Sequence, residues 1–235
     1  MMRQVVAFSG GKDSTAVALL LHERGEDFDL LFTPTGNELP TLVTHMNKVL
    51  AKIGKDLIVP KNHSLETWIN HFNALPNNRQ RWCTRLIKIE PCVAYLKQHP
   101  GTTLCVGLRI DEPTREGLYG DFAQYRYPLR ESGMGLDEVL ALCDKYDLRP
   151  KMRTDCAVCP YQRLAEWFML WRDYREQWNE GELWEARTGH TFRSPSRDTW
   201  PASMRGMRER FEAGDVPERS MKNMERDKAC RVCSL

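Results

Sequence analysis

The sequence predicts an α/β fold, in which a mostly parallel sheet carries helices on both faces. Short, continuously apolar segments alternate with helical patterns over the first 110 residues, and such strands are typical of sheets buried on both faces. The connections between these segments are also short, as in βαβ units. Beyond residue 111 strand patterns become rare. We therefore expect two domains, an α/β domain at 1–150 and a helical, cysteine-bearing region and tail at 151–235.

The individual elements follow from local patterns. In the segment 39–53, for example, apolar residues recur three and four apart from Leu42 through Met46 to Ile53, which predicts a helix. Pro60 ends the third strand. Strands are predicted at 5–8, 28–32, 56–59 and 103–108. Helices are predicted at 15–23, 39–53, 84–98, 136–146, 164–178 and 204–213, and the tail from 214 is expected to be loosely attached.

Composition limits the class of protein. The chain has 235 residues, and a net charge of +2 is too small to indicate nucleic-acid binding by itself. No apolar stretch approaches the ~18 residues of a membrane span, and the N-terminus lacks a signal-peptide pattern. We therefore expect a cytoplasmic protein without a membrane partner. In that reducing compartment, the eight cysteines indicate metal, cluster or redox chemistry before disulfides.

A glycine-rich loop joins the first strand to the first helix. Glycine permits positive φ and close approach of the backbone to a phosphate, and the amides at a helix start favour an anion. The loop is not a Walker A motif, because Val6 stands where the first glycine belongs and no Ser or Thr follows the lysine. An ordinary strand–helix turn, eased by glycines, is the alternative. The loop reads Ser9, Gly10, Gly11, Lys12, Asp13, Ser14.

Several segments together resemble one known family. The loop is similar to the PP-loop of ATP pyrophosphatases. The segments 35–38, 81–91, 107–115 and 153–160 resemble, in order, motifs of the phosphoadenosine phosphosulfate (PAPS) reductase-like branch, with Pro113 where the family has serine. Arg85, Arg126 and Arg130 are expected to crowd the same region. The resemblance implies that an adenine nucleotide is bound by Ser9, Gly10, Gly11, Lys12, Asp13, Ser14, Thr35, Gly36, Glu38, Arg81, Lys88, Gly107, Arg109, Glu112 and Arg115.

One position within that branch indicates which nucleotide is used. Sulfonucleotide reductases usually lack the loop lysine, whereas this chain keeps Lys12 and Asp13. The resemblance then implies that ATP, with Mg²⁺, is split to AMP and pyrophosphate, with these two residues as catalytic groups, so that an adenylated acceptor can take up sulfur. One alternative is a sulfonucleotide reductase that releases sulfite from PAPS or APS. Another is a nucleotide- or nucleic-acid-binding module with structural zinc.

The cysteines suggest a metal centre. Cys156 and Cys159 are spaced so that both thiolates can reach one metal. Iron-containing adenylylsulfate reductases bind a 4Fe-4S cluster, and resemblance to them implies that Cys83 joins this pair, although those enzymes have two cysteines at that point. Cys230 or Cys233 would supply the fourth ligand. Structural zinc (Zn²⁺) and a plain buried thiol pair are the alternatives. The expected core thiols are Cys92, Cys105 and Cys143.

The C-terminal tail has a second interpretation. Cys230 and Cys233 lie beside Lys228 and Arg231, and positive neighbours raise the thiolate fraction of a cysteine. Sulfonucleotide reductases carry a nucleophilic cysteine on such a tail, so the resemblance implies that these two cysteines are catalytic. A sulfur donor or a thiol reductant protein would then be a partner. An idle tail is the remaining alternative.

Tryptophans and arginines are frequent in the C-terminal third. Their mixture resembles a surface that stacks on bases and binds phosphates, which makes nucleic acid an alternative partner. Trp167, Trp171 and Trp178 are, however, spaced four and seven apart, which is typical of one helix face packed on a core. The core interpretation is therefore favoured. The six histidines show no ligand spacing, and the sequence does not fix the oligomeric state.

Overall fold

A computed structural model describes residues 3–115, 124–150 and 156–226, with side chains described to residue 222. Its centre is a five-stranded sheet in the order β3-β2-β1-β4-β5, and all neighbouring strands are parallel. The strands are β1 (Gln4–Ala7), β2 (Asp29–Leu31), β3 (Leu57–Ile58), β4 (Thr103–Cys105) and β5 (Gln124–Arg126). The predicted α/β fold with a parallel sheet is confirmed.

Helices connect the strands and continue beyond them. A π-helix, Thr84–Ile89, leads directly into α4. The α-helices are α1 (Lys12–Glu23), α2 (Pro40–Ile53), α3 (Leu65–Phe72), α4 (Glu90–Gln98), α5 (Pro128–Glu131), α6 (Leu136–Lys145), α7 (Leu164–Asp173), α8 (Arg175–Thr188), α9 (Met204–Glu212) and α10 (Glu218–Arg226). None of these helices combines the length and apolar character needed to cross a membrane.

Helices cover both faces of the sheet because successive strand residues point to opposite sides. Val6 and Leu30 pack in one core with residues of α1, α2 and α6. Their neighbours Val5 and Leu31 pack on the other face with Leu96 of α4. All four strand residues are buried, so the continuously apolar strands have the two-sided burial that the sequence predicts.

The chain divides into two compact units. The first comprises the described parts of Met1–Asn62 and Thr84–Thr154, and it contains the sheet. The second comprises His63–Cys83 and the described part of Asp155–Leu235. It therefore includes a segment that sequence order alone would assign to the first. The predicted division at residue 150 stays a prediction.

The core of the second unit is aromatic, and it corrects one predicted helix. The single helix predicted at 164–178 is wrong, because the chain leaves helical geometry at Tyr174, with φ −136° and ψ 65°. The break lets Trp178 fold back on Trp167, with ring centroids 6.2 Å apart, whereas eleven residues of continuous helix would separate them by roughly 16 Å. Both tryptophans are fully buried, so the core interpretation of this face is confirmed.

Other elements differ from the predicted pattern. Helix α3, strand β5 and the short α5 are not predicted, and helix α10 lies in the tail that was expected to be loosely attached. The helix predicted at 84–98 is present but begins as a π-helix. Strand β5 has only three residues, with the sequence Gln-Tyr-Arg, which gives no apolar run to recognise.

Candidate functional site

The glycine-rich loop lies at the carboxyl end of β1, beside the point where strand order reverses between β1 and β4. Ligands of open parallel sheets bind at such points. Gly10 has φ +71°, which a residue with a side chain adopts at a cost. A Cβ on Gly10 would also lie within 2.7 Å of side-chain atoms of Leu42 and Met46 on α2. Both features require glycine at this position.

Hydroxyls of the loop bond within the loop itself. The Ser9 amide donates to Ser14 Oγ at 3.2 Å, and the Gly11 amide donates to Ser9 Oγ at 3.3 Å. Ser14 Oγ in turn donates to the Gly11 carbonyl at 3.1 Å. Gly11 is the N-cap of α1 without any side-chain cap. These bonds order the loop, and the amides of the first turn of α1 have no side-chain cap. An anion site at a helix start needs both features.

An arginine from the far side of the site holds the loop. Arg109 Nη1 donates to Asp13 Oδ1 at 2.9 Å, and Asp13 Oδ2 lies 3.2 Å from Lys12 Nζ. Lys12 and Asp13 side chains are 13% and 11% exposed. The predicted catalytic pair is therefore a partly buried ion pair anchored from the turn after β4.

Arg109 is buried and surrounded by carboxylates. Its Nε donates to Asp111 at 2.8 Å, and its Nη2 lies 3.4 Å from Glu112. Burial opposes the charge, but the hydrogen bonds to Asp111 and Asp13 hold the pKa of Arg109 above its usual value. In this structure the guanidinium is engaged by protein groups, so it positions the loop. Direct nucleotide binding by Arg109 stays a prediction.

The turn that carries Arg109 is itself clamped. Arg115 Nη1 donates to Glu112 at 2.6 Å. Arg130 donates to the main-chain oxygens of Arg109 at 3.2 Å, of Arg115 at 2.7 Å, and of Glu112. Arg130 therefore lies in the region where it was expected, and its donors bond carbonyls of this turn.

Arg126 is a similar case. Its guanidinium donates to Glu26, to Glu131 at 2.9 Å and to Gln4 at 2.7 Å. These bonds hold the pKa of Arg126 above its usual value, the one to Glu26 most strongly. Arg126 thus ties β5 to the segment before β2 instead of crowding a nucleotide.

Gly107 lets the turn after β4 pass close to the glycine-rich loop after β1. A Cβ built on Gly107 would lie 3.0 Å from the main-chain carbon of Asp13 and 3.1 Å from the amide nitrogen of Ser14. Main-chain atoms cannot yield as a flexible side chain can. Glycine is therefore required where the strand after β4 passes the phosphate loop.

The segment 35–38 forms a tight turn after β2. Glu38 Oε1 accepts hydrogen bonds from the amide and the hydroxyl of Thr35, each at 2.6 Å. Thr35 is buried, whereas Gly36 is exposed. Glu38 is thus a bonded part of the turn, at the carboxyl edge of the strand next to the phosphate loop.

Asn62 was missed by the sequence reasoning. Its Nδ2 donates to the carbonyl of Pro34 at 2.7 Å and to that of Ile87 at 3.3 Å. It therefore joins the 35–38 turn to the π-helix that carries Lys88, and π-helical turns often occur at functional sites. The only signal in the sequence is an amide shortly after a predicted strand, which alone is weak.

The predicted metal ligands lie in the second unit. Cys83, Cys156 and Cys159 are all half-buried there, as is Arg81. The guanidinium of Arg81 lies over the ring of Tyr161, at 5.0 Å. Across the described residues, no group of three or more His, Cys, Asp or Glu side chains is arranged to hold a metal ion. Cys230, Cys233 and the start of the 153–160 motif lie outside the described residues.

The remaining cysteines are core thiols, as expected. Cys92, Cys105 and Cys143 are buried, and desolvation raises the pKa of each thiol to about 12. Such thiols are inert as nucleophiles at neutral pH. Cys143 lies directly under the phosphate loop, where its thiol donates to the Lys12 carbonyl at 3.6 Å.

Tryptophan burial weakens the C-terminal nucleic-acid surface. Trp167, Trp178 and Trp184 are buried and cannot stack on bases. Trp171 and Trp200 are partly exposed, but guanidiniums lie over their rings, 4.2 Å and 3.9 Å from the centroids. The alternation of Trp and Arg in this region thus builds a core and its arginine cover.

Comparison with known proteins agrees with the loop geometry. Residues 3–118 match the family model for the phosphoadenosine phosphosulfate reductase domain, which spans every predicted nucleotide-binding residue. A segment of 113 residues is 31% identical to an uncharacterized protein of Methanocaldococcus jannaschii, covering 48% of this chain. The chain spans about a quarter of that relative, 27% of its length.

Two solved structures are similar to this chain, and one of them supports its fold. A PAPS reductase from Candida auris, solved as a phosphate complex, aligns with a TM-score of 0.52 at 18% identity, covering 63% of this chain and 73% of its own. A U34-tRNA thiolase from Methanococcus maripaludis, solved with its 4Fe-4S cluster, aligns with a TM-score of 0.49 at 16% identity, over 90% of this chain and 72% of its own. The first likeness supports the fold, and the second is too distant to support more.

Proposed function

Because this chain belongs, through residues 3–118, to the phosphoadenosine phosphosulfate reductase domain family, we propose that it binds ATP on the loop 9–14 and adenylates an acceptor for sulfur transfer. AMP and pyrophosphate are the products formed from the nucleotide. Members of this family are enzymes, and the choice of ATP over a sulfonucleotide is the specific part of the proposal.

One observation carries that choice. Lys12 is retained in the loop and is held 3.2 Å from Asp13, which Arg109 anchors from across the switch point. An ammonium at this position can meet the terminal phosphates of ATP as a point charge. PAPS and APS have no such triphosphate chain. The carboxylate that restrains Lys12 fits a residue that must be positioned before the substrate arrives.

The proposed first step is a displacement at the α-phosphorus of ATP. An oxygen of the acceptor attacks that phosphorus, its proton passes to solvent, and the bond to the oxygen bridging the α- and β-phosphates breaks. Pyrophosphate leaves with the bonding electrons. Lys12 and the amides at the start of α1 would stabilise the charge that develops on it.

Magnesium fits this arrangement without a protein cage. Mg²⁺ usually binds through substrate phosphates, water and one or two carboxylates. Asp111 is half-exposed and Glu112 lies beside it, so either carboxylate could turn to a metal that arrives with the nucleotide. Held by Asp111 or Glu112, Mg²⁺ would supply positive charge that neutralises the phosphates during the displacement.

The second proposed step is sulfur transfer. Hydrosulfide attacks the carbon that bears the adenylated oxygen, and AMP leaves with the electrons of the carbon–oxygen bond. We propose that a sulfur-donor protein places a persulfide on Cys230 or Cys233, and that a second thiol forms a disulfide with that cysteine and releases the outer sulfur as hydrosulfide. A 4Fe-4S cluster on Cys83, Cys156 and Cys159 is part of the proposal, but the described residues do not assemble a metal site by themselves, so no step is derived through it.

The test is a product analysis on three nucleotides. Protein prepared without oxygen is incubated with ATP, APS or PAPS, together with a thiol reductant and a pool of small RNA or DNA as acceptor. The proposal expects AMP and pyrophosphate from ATP alone. Sulfite from PAPS or APS would establish the reductase alternative, and ADP with inorganic phosphate would exclude cleavage at the α-phosphorus.

A further inference from the structure

A cluster of aromatic and imidazole rings lies on α3 and the segment after it. Trp68 is at its centre, with ring centroids 5.8 Å from His63, 5.6 Å from His71 and 5.5 Å from Phe72. Trp82 extends the group at 5.3 Å from Phe72. We call these five residues the α3 ring cluster, and all of them belong to the second unit.

The α3 ring cluster is on the surface. Phe72 is 42% exposed, and His63 and His71 are exposed as well. Phe72 stacks on Trp68 with an interplanar angle of 15°, so the exposed ring is held in place by its aromatic neighbour. Contiguous exposed apolar surface often marks an interaction site.

A buried donor belongs to the same cluster. The indole nitrogen Nε1 of Trp68 is buried and has no hydrogen-bond partner among the described residues. Buried indole N–H groups normally find an acceptor. The Trp68 indole is therefore positioned by its ring contacts and not by a hydrogen bond to the described residues, as are the indoles of Trp167 and Trp171 in the same unit.

The segment after α3 carries positive charge. Between Thr67 and Cys83 the chain has no acidic residue, and it carries Arg79 and Arg81. The carboxylate on α3, Glu66, lies 3.9 Å from Arg187, and Glu180 of α8 is close enough to Glu66 for the two charges to repel. Phosphates would therefore meet the two arginines after α3, away from these carboxylates in sequence.

The two arginines are held in place. Asn77 Oδ1 accepts the amides of Arg79 and Gln80, each at 2.9 Å. Arg81 lies over Tyr161, whose hydroxyl donates to the carbonyl of Asn78 at 2.9 Å. The turn that presents these cations is therefore ordered before any partner binds.

We propose that the α3 ring cluster binds unpaired bases of a single-stranded nucleic acid, with Arg79 and Arg81 on its phosphates. Every base has a π face that can stack on an exposed ring, and such stacking is the usual basis of single-strand binding. The large aliphatic residues of the segment are buried, so rings provide most of its exposed apolar surface, and Arg79 and Arg81 provide its cations. The buried residues are Leu65, Ile69 and Leu75.

This inference goes beyond the proposed function, because it names the chemical class of a partner. The binding surface stands on its own contacts and needs no ATP. Only the further step, in which the bound nucleic acid is identified as the sulfur acceptor, rests on the proposed function. Binding and ATP cleavage are measured separately, so either can fail without the other.

The test is fluorescence anisotropy with the full chain and a labelled single-stranded RNA or DNA of about 12 nucleotides, within the usual site size. We expect the single strand to bind at least roughly tenfold more tightly than the matching duplex, whose bases are not available for stacking. Phe72→Ala should weaken single-strand binding roughly fivefold to a hundredfold, as expected for loss of one stacking platform. Leu183→Ala removes a 68% exposed side chain from α8 in the same unit and should change nothing.

Folding is checked by circular dichroism and melting temperature. If Phe72→Ala lowers the melting temperature, Phe72→Leu replaces it, because leucine keeps apolar volume but removes the ring. The proposal is overturned if the duplex binds as tightly as the single strand, or if the Phe72 variants bind like Leu183→Ala. It is equally overturned if no oligonucleotide binds at about 100 μM protein, the weak limit of non-specific association.

Discussion

The guanidinium of Arg109 donates from Nη1 to Oδ1 of Asp13 at 2.9 Å, across 96 residues of sequence. This bond ties the turn after β4 to the phosphate loop after β1. The other oxygen of Asp13 lies 3.2 Å from Lys12 Nζ. Arg109 therefore restrains Lys12 indirectly, through Asp13. We therefore propose that Arg109 positions the loop, because its guanidinium is already bonded to carboxylates of the protein.

Arg109→Lys should weaken both the fold and nucleotide binding. An ammonium is a point charge and cannot reach Asp13, Asp111 and Glu112 together. We expect the free energy of unfolding to fall by about 1.5–3 kcal/mol, the usual value of a hydrogen bond to a charged group, and the Kd for ATP to rise about tenfold. Urea denaturation and calorimetry measure the two effects.

The matched control for that change is Arg149→Lys. Arg149 is exposed and pairs with Asp144 at the surface, so its replacement should leave stability and ATP affinity unchanged. If Arg109→Lys is destabilised but binds ATP as Arg149→Lys does, Arg109 stabilises the fold without contributing to the nucleotide site.

Gly107→Ala should disturb the phosphate loop from outside it. The new Cβ would lie 3.0–3.2 Å from main-chain atoms of Asp13 and Ser14, and overpacking of this kind costs typically about 1–3 kcal/mol. We expect a lower melting temperature and weaker ATP binding. Gly135→Ala is the control, since its Cβ would meet side-chain atoms and no main chain, Glu138 at 3.2 Å and Asp111 at an ordinary 3.9 Å. Equal ATP affinity in the two variants would show that the close approach is irrelevant to the site.

A buried carboxyl in the second unit should make stability depend on pH. Glu185 accepts the amides of Phe192 at 3.0 Å and Met204 at 2.6 Å. Desolvation nevertheless raises its pKa from 4.5 to about 7. The folded state therefore holds a proton that the unfolded state releases above pH 4.5. Stability from this group is complete below that pH and is lost as pH rises through 7, by up to roughly 3 kcal/mol.

Glu185→Gln tests this by removing the titration. As pH rises from about 5 to about 8, the melting temperature of the wild type should fall relative to that of Glu185→Gln. Glu209→Gln changes an exposed carboxylate on α9 and should keep the wild-type dependence. A wild-type profile parallel to that of Glu185→Gln over this range would mean that the buried carboxyl does not titrate there.

Metal content distinguishes the cysteine hypotheses. Protein purified without oxygen should be brown and contain about four irons, held by Cys83, Cys156 and Cys159 with one tail cysteine. Cys156→Ser should lose iron, whereas Cys92→Ser, at a buried core thiol, should keep it. Colourless protein with one zinc would instead establish the structural-zinc alternative. The double change Cys230→Ser, Cys233→Ser should cost iron if the tail supplies a ligand, and turnover alone if the tail is catalytic.

The sequence predicted the features that local rules determine. The four strands at 5–8, 28–32, 56–59 and 103–108 are present because continuous apolar runs bounded by turns indicate buried parallel strands. The loop 9–14 is where its motif predicts it, at a strand–helix junction. Gly107 was selected by resemblance alone, and its physical reason, contact with the main chain of Asp13, appears only in three dimensions.

Other features depend on contacts that sequence patterns do not record. Nothing in the sequence near Arg109 indicates that its partner is Asp13. The break at Tyr174 depends on the packing of Trp178 against Trp167, since the apolar spacing continues through it. Asn62 donates to the main-chain carbonyls of Pro34 and Ile87. Every residue type has such a carbonyl, so the sequence does not indicate these partners.

The central claim is that ATP binds through the loop lysine, and calorimetric titration of ATP into Lys12→Ala tests it most directly. Lys12 lies on the first turn of α1, and Lys48→Ala, at an exposed site on α2, is the matched control. Loss of a charge-assisted contact to phosphate should raise the Kd for ATP at least about tenfold, with an unchanged melting temperature and with wild-type affinity in Lys48→Ala. ATP affinity in Lys12→Ala equal to that of the wild type would contradict the claim.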